Sequence, residues 1–423
     1  MQDSVKNIKP ASLSRKSLHA VIALGLIAAF AELAYAIVNV LAIPAYVSKE
    51  LDLGPWVGIV MGAFLMAEAV GRLWLGALSD IVGRKPLIIL GPLVSGVASI
   101  LVVQAHDPYV MLAVRILDGL GAAAFWPALF AAVGDRTDES NRSTGMSVLN
   151  VAYMVGLALG PRTGGWINAL YSTEAHPVYH AAFYLAAGIF ALTGFLVLVL
   201  VSSGSKGAAK HAGAPTEQWT GIGPMLEAAK RVWKLLLVAF TTFVGIGMLI
   251  PVLELYALDR FGITQAQFGN LFLIPAIVIA CAAVPLGRMG DKWGRLTSIK
   301  IGVLLCASAL WLVPAIHSPY VLAGGAVIVG IGFLLAFPAW MALVADVTDE
   351  QTRGSVLGAA GMAQGFGAIG GAVAGGVLYH HKHAIAGIGA HDVPIYLAAA
   401  FLTLSFVLTA LLIRPVSTGR KAA

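Results

Sequence analysis

Charge is what this chain has least of. Of its 423 residues only 11% are Asp, Glu, Lys or Arg, against 59% hydrophobic, whereas an ordinary soluble domain is about a quarter charged. The length would hold two or three soluble domains, but this composition excludes them. Cysteine is nearly absent. Cys281 and Cys306 both fall inside apolar runs, so they read as small apolar side chains and give no disulfide framework. No nucleotide-binding loop, metal-ligand cluster or nucleophile–base arrangement is present, so nothing supports an enzyme and no cofactor is expected. Nor is there a soluble domain on which a basic, aromatic-interleaved patch could bind nucleic acid. The histidines lie at helix ends or in loops; His380, His381, His383 and His391 read as a solvated loop rather than a metal site.

What is present is a succession of apolar runs of about 20 residues, the length that crosses a bilayer. They fall near 20–46, 55–78, 87–105, 108–133, 143–171 and 178–202, then near 234–257, 266–288, 297–315, 319–343, 354–379 and 394–414. That makes an all-α polytopic membrane protein of twelve spans. No small-residue cleavage site follows a short apolar core, so residues 1–19 read as a cytoplasmic tail before an uncleaved first helix. Residues 203–233 are rich in Gly, Ser, Ala and Lys and read as a linker, with a short amphipathic surface helix at 222–231. Residues 415–423 form a second tail. With both ends inside, the inner segments carry twenty-one Lys and Arg and the outer loops three, Lys49, Arg260 and Lys382. The positive-inside rule then fixes the orientation, and the net charge of +6 is a topology signal.

One stretch between two spans organises the rest: Gly76-Ala-Leu-Ser-Asp80-Ile-Val-Gly83-Arg84-Lys85. Gly76 lets two helices approach, Asp80 can meet a helix N-terminus or a base, and Gly83 makes the turn. Arg84 and Lys85 hold the loop inside. Gly287, Asp291, Gly294 and Arg295 repeat the spacing 211 residues later. The same offset takes Pro127 to Pro338, Asp135 to Asp346 and Gly160 to Gly371, and it holds without a gap over about 90 residues. The chain is therefore two similar six-helix halves, 20–202 and 234–414.

Six charges remain inside spans: Glu32, Glu68, Arg72, Arg115, Asp118 and Arg162. Each costs at least ~2.5–3.5 kcal/mol at mid-bilayer unless it has a partner or a wet cavity. Counting from the start of each run puts Glu32, Glu68 and Asp118 at roughly 15–20 Å depth. Glu68 and Arg72 share a helix face at i, i+4, and Arg115 and Asp118 at i, i+3. The first pair reads equally as a structural lock or a functional one. Glu32 has no opposite charge on its own helix, so it must find one elsewhere or stay protonated. With Arg115 and Asp118 it is the expected proton-responsive core. The second half lacks this set, and its nearest equivalents, Glu254 and Asp259, lie by the outer end of the seventh span. There Phe337, Trp340, Gln364 and Phe366 are expected to form an apolar, aromatic cavity wall, with Trp126 as an aromatic in the first half.

The loop motif resembles that between helices 2 and 3 of the major facilitator superfamily of secondary transporters. Two further stretches sharpen the likeness, which covers about 20–415. Arg115-Ile-Leu-Asp118-Gly119-Leu-Gly121 resembles the helix 4 motif of proton-coupled facilitators, whose Arg is associated with proton transfer. Gly156-Leu-Ala-Leu-Gly160-Pro161-Arg162-Thr-Gly164-Gly165 resembles the helix 5 motif of drug–proton antiporters, a close-packed and kinked helix. Arg162 stands where that motif is usually uncharged, which suggests an anionic substrate group or an extra ion pair. The second loop motif ends Arg295-Leu296, without its second base. The resemblance implies proton-coupled export of a small amphipathic compound by a monomer in a bacterial inner membrane, by rocking of the two halves around a midplane site. Its partners would be protons, lipids and the substrate. A lipid or glycolipid flippase and a nutrient symporter are the rival transport readings, and a membrane sensor or enzyme the rival outside transport.

Overall fold

The computed structural model describes residues 15–138, 141–173, 175–201, 230, 232–346, 348, 353–381, 388–389 and 391–413. The tail 415–423, most of 1–19 and nearly all of 202–231, including the expected surface helix, lie outside that set. The helices in chain order are α1 (Arg15–Ala36), α2 (Val57–Val82), α3 (Arg84–Gln104), α4 (Pro108–Gly134), α5 (Arg142–Tyr171) and α6 (Ala181–Leu200). They continue as α7 (Trp233–Leu249), α8 (Leu253–Phe261), α9 (Gln265–Trp293), α10 (Arg295–Leu312), α11 (Pro319–Asp346), α12 (Arg353–Tyr379) and α13 (Val393–Leu412). Beyond Ala36, π-helical turns extend the first span, which runs Ser17–Glu50. Among the described residues eleven helices are long and apolar enough to cross a membrane, and α7 with α8 makes twelve as one span bent by 42°. The bend falls at Pro251, which has no backbone N–H and whose ring displaces the preceding turn; the sequence reading has one span there, near 234–257.

Packing divides the chain into two compact units. The first comprises described residues within 1–46, 63–215 and 265–269, and the second those within 47–62, 216–264 and 270–423. Inside each unit the 211-residue repeat is visible as packing. A Cβ on Gly156 of α5 would lie 2.4 Å from the Ala29 carbonyl oxygen, 2.8 Å from Leu33 N and 2.9 Å from Glu32 Cβ. On Gly367 of α12 it would meet Phe240 O at 2.6 Å and both Val244 N and Phe243 Cβ at 3.2 Å. Each neighbour is 211 residues beyond its counterpart, so the repeat reaches back into α1 and α7, where the sequences no longer look alike.

The two helix-to-helix turns repeat as well. Gly83 precedes α3 with φ 93° and ψ 159°, and Gly294 precedes α10 with φ 83° and ψ 147°. This region is open essentially to glycine alone, because a Cβ would clash with the chain's own backbone. Gly83→Ala and Gly294→Ala are each expected to cost about 1–3 kcal/mol, read as a lower melting temperature in detergent. Gly188→Ala is the control: it lies within α6 with nothing within 4 Å of an added Cβ, and should be neutral or slightly stabilising.

Candidate functional site

The first unit holds a polar network inside an apolar bundle. Asp107 fixes where α4 begins, its carboxylate accepting from the N–H groups of Tyr109 at 2.9 Å and Val110 at 3.1 Å. That sets Arg115 and Asp118 two and three turns in, on one face. Both are buried, at 0% and 2% exposure, and they form an ion pair. Arg115 also donates to Asn39 Oδ1 on the extension of α1, and its guanidinium carbon lies 4.5 Å from the Phe64 ring centroid on α2. Asn39 Nδ2 donates to the Tyr35 carbonyl at 3.0 Å, and the Tyr35 hydroxyl meets Ser95 Oγ on α3 at 2.9 Å. Two atoms are left over: Arg115 Nε and Asp118 Oδ1 are buried without a hydrogen-bond partner. A buried network satisfied only in part costs free energy as it stands.

Glu32 has neighbours of its own. It is 5% exposed, and the groups facing its carboxyl are the Tyr153 hydroxyl and Glu68. Arg115 does not hold it. The guanidinium is already engaged by Asp118 at i+3 and by Asn39. Glu68 pairs with Arg72 at i, i+4 and is the acid whose charge also reaches Arg115 and Asp118. Trp126 is buried beside this group, its ring 6.3 Å from Tyr35 and 5.3 Å from Tyr153.

At the Gly83 end, Arg84 is the hub. It pairs with Asp80, donates to Ser79 Oγ at 2.6 Å, and reaches Asp135 beyond the end of α4 at 3.3 Å. Asp80 itself is largely exposed, with 65% of its side-chain surface open; the tie to the neighbouring helix therefore runs from Arg84, not from Asp80. Lys85 donates to the Leu198 carbonyl at 3.2 Å. In the second unit Arg295 pairs with Asp346 and donates to the Ala342 carbonyl. This is the same bond shifted by 211 residues. The side-chain surroundings of Gly287 and Asp291 lie outside the described residues. Gly76 is not needed for close approach, since a Cβ there would meet only Pro127 Cβ, at 3.8 Å. The tight contact comes higher, where a Cβ on Gly119 of α4 would lie 2.5 Å from the Phe64 carbonyl.

The sequence profile of the Major Facilitator Superfamily matches residues 24–245 and 235–423. The chain belongs to the Major Facilitator Superfamily. Among its relatives is Multidrug resistance protein 1 of Bacillus subtilis (strain 168), 23% identical over 374 residues, which cover 88% of this chain and 90% of that protein. Another is the class B tetracycline resistance protein of Escherichia coli, 23% identical over 325 residues, 74% of this chain and 76% of that one. Among solved structures, the nucleoside transporter NupG superposes with TM-score 0.77 at 14% identity, over 92% of this chain and 98% of its own. A bacterial homologue of the human lysosomal transporter Spinster gives 0.74 at 15%, over 94% and 98%. These structures share the facilitator fold.

Within this facilitator, the helix 5 glycines pack as a strip against α1. A Cβ on Gly160 would meet Ala36 Cβ at 2.4 Å and one on Gly164 would meet Leu41 Cδ2 at 2.7 Å. Gly165 faces the start of α9, where an added Cβ would lie 2.4 Å from the Gln265 carbonyl. Pro161 sits inside an unbroken α5. Arg162 is exposed and forms no ion pair among the described residues, so of the two alternatives read for it the ion pair is not found there. The polar clasp here is one the sequence reading missed: Asn168 Nδ2 donates to Gln265 Oε1 at 2.7 Å, and Gln265 Nε2 to the Leu41 carbonyl at 3.1 Å.

The facilitator's second unit contains a cavity lined by residues of α7, α10, α11 and α12, among them Phe337, Trp340 and Gln364. Phe366 is not part of it and is 55% exposed. Two residues along a helix is a 200° turn, so Gln364 and Phe366 cannot face the same way. At the Lys49 end, Asp259 pairs with Lys49 and accepts from the Tyr379 hydroxyl at 2.7 Å. His380 is no solvated loop residue. Its Nδ1 meets the Gly376 carbonyl and its Nε2 meets Ser48 Oγ, both at 2.9 Å, and burial pushes the imidazole below its usual range. His383 lies outside the described residues.

Proposed function

We propose that this facilitator exports small amphipathic compounds from a bacterial cell in exchange for protons, as a monomer in the inner membrane with both termini inside. The observation that carries the reading is the unpaired Oδ1 of Asp118, in a buried ion pair that already uses its other oxygen. A proton arriving there neutralises the carboxyl and releases Arg115 toward Asn39 alone, which changes what α4 holds and what the first span holds. Glu32, buried against Tyr153 with a second acid nearby, is a second site at which a proton relieves repulsion between like charges. Export rather than uptake is supported by relatives named for multidrug and tetracycline resistance. The orientation is supported by the twenty-one to three distribution of basic residues and the positive-inside rule.

The test is flux in proteoliposomes of the full chain under an imposed pH gradient, with tetracycline and chloramphenicol as probes and xylose and a fluorescent phospholipid beside them. Movement of the two drugs against their own gradient, abolished by a protonophore, is the expected result. Gradient-driven movement of xylose or the lipid in place of the drugs would replace the export reading by a symporter or a flippase.

A further inference from the structure

We propose that the cavity of the second unit is a binding site for an uncharged aromatic ring bearing a hydrogen-bond acceptor, such as a ring ketone or quinone carbonyl. The inference deepens the export reading and rests on it for the transport consequence, by naming the chemistry of the substrate's ring.

The cavity wall is built for a flat apolar group. Phe333 and Phe337 stack with centroids 5.2 Å apart and planes at 11°, and Phe243 meets Phe337 edge-on at 6.3 Å and 61°. Val238, Ile299 and Val303 add aliphatic surface. Three polar side chains also line the cavity. Thr242 is already engaged, its hydroxyl donating to the Val238 carbonyl at 2.7 Å and meeting Ser405 Oγ at 2.5 Å. The other two are not: Trp340 Nε1 and Gln364 Nε2 are buried with no partner, and Trp340 as a whole is 5% exposed.

An indole N–H only donates, and so does the amide nitrogen. Two unmet donors in an apolar wall call for an acceptor. Water can meet these donors, with the Gln364 amide oxygen as an acceptor for one of its own hydrogens, but it gains nothing from the stacked rings around them. A cation fits worse, because no carboxylate is among the lining residues and the donors would face it with like polarity. A carbonyl on an aromatic ring meets every feature of the wall.

The repeat gives the cavity a second meaning. Subtracting 211 carries Phe243 to Glu32, Phe337 to Trp126 and Gln364 to Tyr153, and the packing around Gly156 and Gly367 carries the equivalence of α1 and α7. The cavity occupies, in its own unit, the position that the Glu32–Tyr153–Trp126 group occupies in the other. One copy of the repeat holds an acid there, and the other holds a ring wall with donors.

The experiment is equilibrium binding to the full chain in lipid nanodiscs with no pH gradient, lipid-only discs being subtracted. Its probes are 9-fluorenone, fluorene and the N-methylacridinium cation, which share a tricyclic aromatic frame. We expect fluorenone to bind about tenfold tighter than fluorene, the usual scale of satisfying a buried donor, and N-methylacridinium to bind no better than fluorene. Trp340→Phe and Gln364→Leu should each remove most of that preference, read as the ratio of fluorenone to fluorene affinity in the same variant; either variant suffices if the other does not fold. Equal binding of fluorenone and fluorene to the wild type would overturn the proposal, as would a preference that survives in the folded variants. The two readings fail separately. Fluorenone preference in a protein without pH-driven drug flux removes the export reading and keeps the site, and flux without preference does the reverse.

Discussion

Arg115→Met is expected to destabilise the protein by about 3–5 kcal/mol, the cost of leaving one member of a buried ion pair without its partner. The pair has no solvent to fall back on, with Arg115 at 0% and Asp118 at 2% exposure. Removing the cation also strips Asn39 Oδ1 of its donor and Phe64 of the guanidinium over its ring. Asp118→Leu should be similarly costly, since it leaves the cation among apolar groups. The double variant Arg115→Met/Asp118→Leu removes both charges together and should recover most of the loss, because a buried pair contributes little net stability over well-packed apolar residues. Transport should not recover with it. Thermal unfolding of the four proteins in detergent gives the cycle, and drug flux under a pH gradient gives the function. A double variant as unstable as the singles would mean that Asn39 and Phe64, rather than the pair, carry the stability. A double variant that still exchanges drug for protons would remove the pair from the coupling mechanism.

How far this site could be read from the chain depended on how locally each contact is encoded. Arg115 and Asp118 are three residues apart on one helix, and their bond was legible from spacing alone. The turn glycines were legible for the same reason, since Gly83 and Gly294 act on their own backbone. The Arg84–Asp135 and Arg295–Asp346 bonds span longer gaps; the repeat shows both ends twice but does not name them as partners. Asn39 was not legible. A single amide in an apolar span names no partner, and its partner Arg115 lies 76 residues on. The same kind of gap hides the neighbours of Glu32, since Tyr153 lies far along the chain. Counting turns gives depth, but the direction a side chain takes around the bundle depends on which glycine strip faces it, here Gly156 and Gly160. Phe366 was counted by composition without its helix face, and it does not line the cavity with Phe337, Trp340 and Gln364. The halves' shared ancestry was easiest to see in loops and glycines, while the two positions that differ most in chemistry, Glu32 and Phe243, became comparable only through packing.

That comparison bears on the final expectation. If Glu32 is the acid that one repeat has kept where the other carries a ring wall, then Glu32→Gln should abolish drug flux driven by a pH gradient. The substitution keeps the shape of the side chain and its reach to the Tyr153 hydroxyl. It removes only the ability to gain and lose a proton and the repulsion with Glu68, so the protein should fold and express as the wild type does. Binding of a neutral probe in the absence of a gradient should be unchanged, which separates loss of coupling from loss of the site. Tyr153→Phe, which leaves the acid but removes the hydroxyl facing it, should weaken gradient-driven flux without abolishing it. Glu32→Asp tests position: it retains the proton but shortens the reach to Tyr153, and is expected to fall between the two. Flux under a pH gradient and equilibrium binding, measured side by side on these variants, decide the matter. Full gradient-driven flux in Glu32→Gln would place the coupling proton on Asp118, whose free Oδ1 is then the one buried carboxyl oxygen among these residues still poised to take it.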